Sequence, residues 1–271
     1  MQAIKRYLKD IGVEKKPTNI SDINNLIRNH LRSLYFCNIP VLLGQEISLE
    51  LEEIVQKMIV QKKGGYCFEH NKLLYEALKY FGFEVEAPFA RVLNNQKIDV
   101  AKTHRFTILN FRGEKYIIDA GFSFMSPNSA IKFGDTPTKT IFGRDYIIKE
   151  LDTNNFELAM LRENGLYTLY SFDLKKYNEQ DFEMGHFYSS KHKDANFVNN
   201  LVLSKITDSK IYSLKNNSYH EIFKGKTEEV IIKTQEQFSV ILRDIFEYNI
   251  SDKDVKYLFD RFVNKQILQI K

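Results

Sequence analysis

Residues 62–82, KKGGYCFEHNKLLYEALKYFG, combine a glycine pair, a cysteine and a helical apolar stripe within one short stretch. Leu73, Leu74, Ala77, Leu78 and Phe81 recur at the spacing of one helix face, so a helix begins near Tyr66 and ends at Gly82. Cys67 then lies in the first turn. Unpaired backbone N–H groups and the positive end of the helix dipole surround a thiol placed there and favour its thiolate. It is positioned as a nucleophile would be.

Upstream, the pattern stays helical. MQAIKRYLKDIGV carries Ile4, Tyr7, Leu8 and Ile11 at helical spacing; Ser21 is a candidate N-cap for a helix bearing Ile23, Leu26, Ile27 and Leu31; and Leu49, Leu51, Ile54, Val55 and Met58 mark another helix after Pro40 and Gly44. These apolar stripes predict a small bundle. Downstream of Gly82 the period changes: VEAPFARVLN (85–94), THRFTILNF (103–111) and EKYIIDAGF (114–122) read as strands, the last two as a hairpin on the RGE turn. LYTLYSFDL, FVNNLVLSKI, KIYSLKNNSYHEIF and EVIIKT extend the β character to about residue 233, as an antiparallel sheet or barrel. The tail returns to helix, with capping patterns Thr234/Gln237 and Ser251/Asp254. Helices, strands, then helices predict an α+β fold.

Composition narrows the function. The 271 residues are 43% hydrophobic and 27% charged, with 39 basic and 35 acidic residues interleaved to a formal net charge of +4. Without a clustered basic stripe, nucleic acid is not an expected partner. No run of 18 apolar residues occurs, so no membrane partner is expected either. The two cysteines, Cys37 and Cys67, form neither a disulfide framework nor a CxxC or zinc pattern, which points to a reducing cytoplasm and no metal. Lys191, His192 and Lys193 could meet phosphates or form a solvated turn.

A cysteine nucleophile needs a base, and the base needs an orienting group. His104 opens one strand of the expected hairpin and Asp119 closes the other, with the turn roughly midway, so the two can be neighbours. Taken singly, each also fits an ordinary role: a buried inert thiol, a satisfied strand histidine, an aspartate in a turn before glycine.

KGGYCFEHN together with THRFTILNF and IIDAGF resembles the arylamine N-acetyltransferase family, whose cysteine lies in an Arg-Gly-Gly-x-Cys-x-Glu-x-Asn motif followed by a histidine and by an aspartate before Gly-Phe. HLRSLYFCNIP is similar to the family's Pro-Phe-Glu-Asn-Leu segment, and DFEMGHFYSSKHKDANFVNNLVLSK to a later one, so the likeness spans most of residues 26–204. It implies a three-part fold: a helical bundle (1–85) bearing the nucleophile, an antiparallel β-barrel-like middle domain (86–195) bearing the histidine and aspartate, and an α/β lid (196–271). The core is cysteine-protease-like, a Cys-His-Asp arrangement.

The resemblance further implies Cys67, His104 and Asp119 as the catalytic triad. Phe36 and Phe122 would line the acceptor pocket, with Phe124 close by on the same loop, and Lys63, Gly64, Gly65, Glu69 and Asn71 would support the cysteine loop. The implied reaction is ping-pong transfer from acetyl-coenzyme A, through a Cys67 thioester, to an arylamine, hydrazine or arylhydroxylamine, with a role in xenobiotic metabolism. Lys63, Cys37 and Ser123 depart from the family's arginine, glutamate and glycine. The same residues could also serve an amide synthase with another thioester donor, a hydrolase or transamidase, or an impaired binding homologue.

Overall fold

The computed structural model describes residues 1–140, 143–223 and 226–265. Its first layer is helical. Helix Gln2–Asp10 buries Ile4, Tyr7 and Leu8, and helix Ile20–Ser33 buries Ile23, Leu26, Ile27 and Leu31. They share one apolar core with helix Cys67–Tyr80 and with helix Leu51–Val55, which continues as a π turn over Gln56–Val60. The second helix starts earlier than its sequence signal suggests. Asn19 is its cap, accepting from the Asp22 N–H at 3.0 Å, because Asn19 has the extended backbone a cap requires while Ser21 is already inside the first turn.

Three sheets follow, and their strand pairs are antiparallel, so the fold class is the expected α+β. A four-stranded sheet orders Glu84–Glu86, Thr107–Phe111, Glu114–Ile118 and Ile131–Lys132. A six-stranded sheet orders His104–Arg105, Phe89–Val92, Gly165–Asp173, Asn155–Arg162, Asp145–Asp152 and Thr138–Lys139. A five-stranded sheet runs from Phe36–Cys37 through Val202–Ile206, Ile211–Lys215 and Ser218–Phe223 to Lys226–Ile231. No helix among the described residues is long and apolar enough to cross a membrane.

The expected hairpin forms, but its first strand is broken. Thr107 pairs with Ile118 and Phe111 with Glu114 around the Arg112–Gly113 turn, where both residues have positive φ. Continuing that register would put Phe106, not His104, opposite Asp119. Instead His104 and Arg105 leave the hairpin and pair with Ala90 and Phe89 in the six-stranded sheet.

Sequence reading did not identify strands Asp145–Asp152 and Asn155–Arg162, nor helix Glu179–Lys191. That helix contains Gly185, aromatics and serines, all poor helix signals. It is started by an Asn178/Asp181 capping box, and Gly185 is needed because a Cβ there would lie 2.2 Å from the Phe89 ring. FVNN, expected in a strand, contributes to the short helix Asn196–Asn199 instead. Both tail caps form, at Thr234 and Ser251. Residues 266–271 of the expected lid lie outside the described residues.

Candidate active site

Cys67 is the first residue of its helix, 2% exposed, and its Sγ donates to the Thr103 carbonyl at 3.6 Å. The glycine pair before it is required by close approach. A Cβ on Gly64, at φ +62°, would fall 2.6 Å from the Tyr35 ring, and one on Gly65 would fall 2.6 Å from Met58 Sδ. The turn is stitched to the short strand at Phe36 by the Cys37 N–H to Gly65 carbonyl bond of 2.7 Å.

Glu69, fully buried, closes the helix start. Its Oε2 accepts from the Tyr66 N–H at 3.1 Å, and its Oε1 accepts from Lys57 Nζ at 2.6 Å. The cation that balances Glu69 is therefore Lys57, carried on the π turn, a residue the motif does not contain. Its apolar neighbourhood in the sequence, QKMIV, left no signal beyond an amphipathic helix. Cys37 is 1% exposed, and burial pushes its thiol up to about 12, so it is neutral where the family has a carboxylate.

Asn71 ties together the segments that carry the other two triad candidates. Its Nδ2 donates to Asp119 Oδ1 at 2.9 Å and to the Arg105 carbonyl, and its Oδ1 accepts from the Ala120 N–H at 3.0 Å. Gly121 is pressed against the nucleophile, since a Cβ there would lie 2.8 Å from Cys67 Cα. His104 Nε2 meets Asp119 Oδ2 at 2.8 Å, with His104 1% and Asp119 0% exposed. Asp119 Oδ1 also accepts from the Gly121 N–H at 2.9 Å.

Electrostatics distinguish the members. Burial pushes the Asp119 carboxyl up, but His104, Asn71 and the Gly121 N–H outweigh it and hold Asp119 below the usual carboxylate range. Burial, followed by the Asp119 charge, pushes the Cys67 thiol up, and the N–H groups of Phe68 and Cys67 offset this only in part. The helix start alone therefore does not make a thiolate here, contrary to the expectation from placement.

A cavity of about 790 Å³ is lined by Cys67, His104 and Gly121, and by all three expected pocket residues, Phe36, Phe122 and Phe124. The Phe122 ring stands edge-on to His104 at 5.1 Å. Ser123 lines the same wall at φ +53°, the left-handed conformation in which the family's glycine is at ease, with its Oγ bonded to Ser204 Oγ at 3.0 Å. Lys215 reaches the lining, whereas Lys191, His192 and Lys193 do not.

Four further contributors escaped sequence reading. Tyr170, fully buried on strand Gly165–Asp173, lies 5.0 Å from the His104 ring, its hydroxyl without a hydrogen-bond partner among the described residues. Helix Glu179–Lys191 supplies Tyr188 and Ser189 to the cavity wall. It also supplies His186, whose Nε2 donates to the Ile47 carbonyl at 2.9 Å while Nδ1 meets the hydroxyl of Tyr66, the residue before the nucleophile. Their partners are 51 or more positions from them in the chain, which no local pattern reports.

A family model described as N-acetyltransferase matches residues 19–255. An arylamine N-acetyltransferase of Mycolicibacterium smegmatis is 29% identical over 231 residues, covering 83% of this chain and 84% of that one. The solved structure of an M. smegmatis arylamine N-acetyltransferase superposes with a TM-score of 0.86 at 26% identity, covering 96% of this chain and 97% of that one. That of the Mycobacterium marinum enzyme in complex with CoA shares the fold, with a TM-score of 0.88 at 22% identity over 96% and 99% of the two chains.

Proposed function

The chain belongs to the arylamine N-acetyltransferase family and is an acyltransferase, and from this premise we propose that it moves an acetyl group from acetyl-coenzyme A to an aromatic amine or hydrazine by way of a thioester on Cys67. The observation that carries this reading is the buried His104–Asp119 pair, 2.8 Å apart, opening with Cys67 on one aromatic-walled cavity.

Asp119 accepts the Nε2–H of His104, which fixes the tautomer and leaves Nδ1 as the basic nitrogen. Because burial resists a lone thiolate, the Cys67 proton passes to His104, and the resulting imidazolium, backed by Asp119, is the cation that stabilises the sulfur. The thiolate attacks the thioester carbonyl. N–H groups at the helix start, Cys67's own among them, receive the developing oxyanion in this scheme. Collapse breaks the bond to the coenzyme sulfur, which leaves with the imidazolium proton. In the second half-reaction the amine attacks the acetyl-cysteine, His104 takes the amine's proton, and the Cys67 thiol is restored.

Phe36, Phe122 and Phe124 give a flat acceptor ring apolar faces to stack on. Glu69, Lys57, Asn71 and the glycine pair set the position of the helix start. The test is to mix the purified protein with acetyl-coenzyme A in the absence of acceptor and weigh it intact. One acetyl group added to the wild type, absent from Cys67→Ala and discharged by an arylamine or hydrazine, is the expected result. A competent, iodoacetamide-reactive Cys67 that takes no acetyl group would overturn the donor assignment.

A further inference from the structure

The strand that carries His104 is two residues long and held to the sheet only through its pairing with Phe89 and Ala90. A base whose ring must stay within reach of a thiol needs firmer support than so short a ladder gives. The support comes from the next residue. Arg105 is 0% exposed, and its guanidinium reaches Glu179 through two bonds, Nη1 to Oε2 and Nη2 to Oε1, each 3.2 Å. The guanidinium carbon also sits 4.4 Å from the Phe182 ring centre and 5.3 Å from that of Tyr75 on the nucleophile helix. The Arg105 carbonyl accepts from Asn71, which also holds Asp119.

Burying this cation is not a route to stability by itself. Nε of Arg105 has no partner among the described residues, and a leucine or methionine would fill the same space without desolvating a charge. What Arg105 adds is geometry: a planar fork against a carboxylate resists rotation and sliding in a way that a point contact does not. The carboxylate is the first residue of helix Glu179–Lys191, which further along holds Tyr66 through His186 and lines the cavity through Tyr188 and Ser189. Lys72 of the nucleophile helix grips the same carboxylate at 2.6 Å.

We propose that Arg105 and Glu179 are positioning residues for His104, their two-pronged ion pair locking its strand to helix Glu179–Lys191, which in turn holds Tyr66 beside Cys67. The proposal rests on His104 acting as the base for Cys67, but not on the identity of the donor.

The experiment is the pH profile of Cys67 alkylation by iodoacetamide, read at peptide level in the full chain, alongside steady-state acetyl transfer. Arg105→Met and Glu179→Gln are each expected to slow alkylation at neutral pH by about tenfold and to lower kcat by a similar factor, since small displacements of a catalytic group carry penalties of this order. KM for acetyl-coenzyme A should stay within about twofold, and the double variant should be no worse than either single, because both remove one coupling. Lys72→Met, which leaves the fork intact, separates positioning from a through-space charge effect and should leave the profile unmoved.

Variants with native circular dichroism that keep the wild-type alkylation profile would overturn the proposal, as would single effects that multiply in the double variant or a Lys72→Met shift as large as that of Glu179→Gln. If Arg105→Met does not fold, Glu179→Gln carries the test, since the Glu179 side chain is 45% exposed. Shifted profiles in a protein that acetyl-coenzyme A never acylates would leave the positioning role standing and the donor assignment fallen.

Discussion

Two histidines, each 1% exposed, are tied to the Cys67 region in different ways: His70 lies three positions after Cys67 on the same helix, and His104 lines the same cavity from a sheet. His70 Nε2 is 3.2 Å from the Tyr35 carbonyl, which can only accept, so that nitrogen carries the proton. Its Nδ1 must then accept from His30 Nε2 at 2.7 Å, and His30 Nδ1 accepts from the Tyr7 hydroxyl at 2.7 Å. Each ring nitrogen is matched in its neutral form, and burial holds His70 down at about 4 and His30 well below its usual value. His104 has a carboxylate instead. Burial is common to both; what separates them is the partner, a buried carboxylate for His104 and a chain of neutral donors and acceptors for His70, and on the proposed mechanism the carboxylate suits His104 to act as the base.

The largest expected effect tests that distinction directly. Asp119→Asn keeps the hydrogen-bonding shape but removes the charge and permits the wrong tautomer, so kcat/KM for acetyl transfer should fall by about 10⁴-fold, as measured with saturating amine. A loss under about tenfold would mean that His104 does not depend on its anion and that the comparison fails.

Next is the charge that braces the helix start. Lys57→Met leaves Glu69 buried without its cation, and urea unfolding should show a loss of about 3–5 kcal/mol, most of it recovered when Glu69→Gln is added. If the double variant recovers nothing, the pair is not the source of the loss.

The neutral histidine chain makes a pH prediction whose sign follows from linkage. His70 has a folded pKa of about 4 against 6.5 when unfolded, so the folded state binds fewer protons. Its contribution is complete above pH 6.5, declines as the pH falls from 6.5 towards 4 and is absent below, amounting to about 3 kcal/mol at roughly 1.36 kcal/mol per unit. Asp119, held below the usual carboxylate range, adds a further loss only in more acid solution. Unfolding free energy against pH should therefore slope between 6.5 and 4 in the wild type and slope less steeply in His70→Gln, whose amide has nothing to titrate while His30 and His186 still do.

The smallest effect concerns the motif's own departure. Glu69 is already satisfied by Lys57 and Cys37 is neutral, so Lys63→Arg regains no carboxylate partner and should move stability by less than about 0.5 kcal/mol in thermal melts. A clear gain would show that position 63 still takes part in bracing the loop.

What could be read in advance follows from the range of the interactions involved. The helix at Cys67, the Gly-Gly turn, the caps at Thr234 and Ser251 and the hairpin around Arg112–Gly113 are set by residues a few positions apart, and local pattern showed each of them. The nearness of His104 to Asp119 was also legible, but for an incomplete reason: a simple hairpin would have faced Asp119 with Phe106, and it is the departure of His104–Arg105 to another sheet that brings the imidazole to the carboxylate. Helix Glu179–Lys191 was not legible, because Gly185 and the serines argue against helix locally and the space left by Phe89 and Lys102 requires the glycine.

The sequence by itself therefore determined the chemistry available, a thiol at a helix start with an imidazole and a carboxylate to follow, and the α+β order of the elements that carry them. Tertiary structure alone decided which histidines join in a neutral chain, which lysine answers Glu69, and which buried arginine holds the strand of His104. Those choices depend on distances between atoms far apart in the chain, and such distances exist only once the chain is packed.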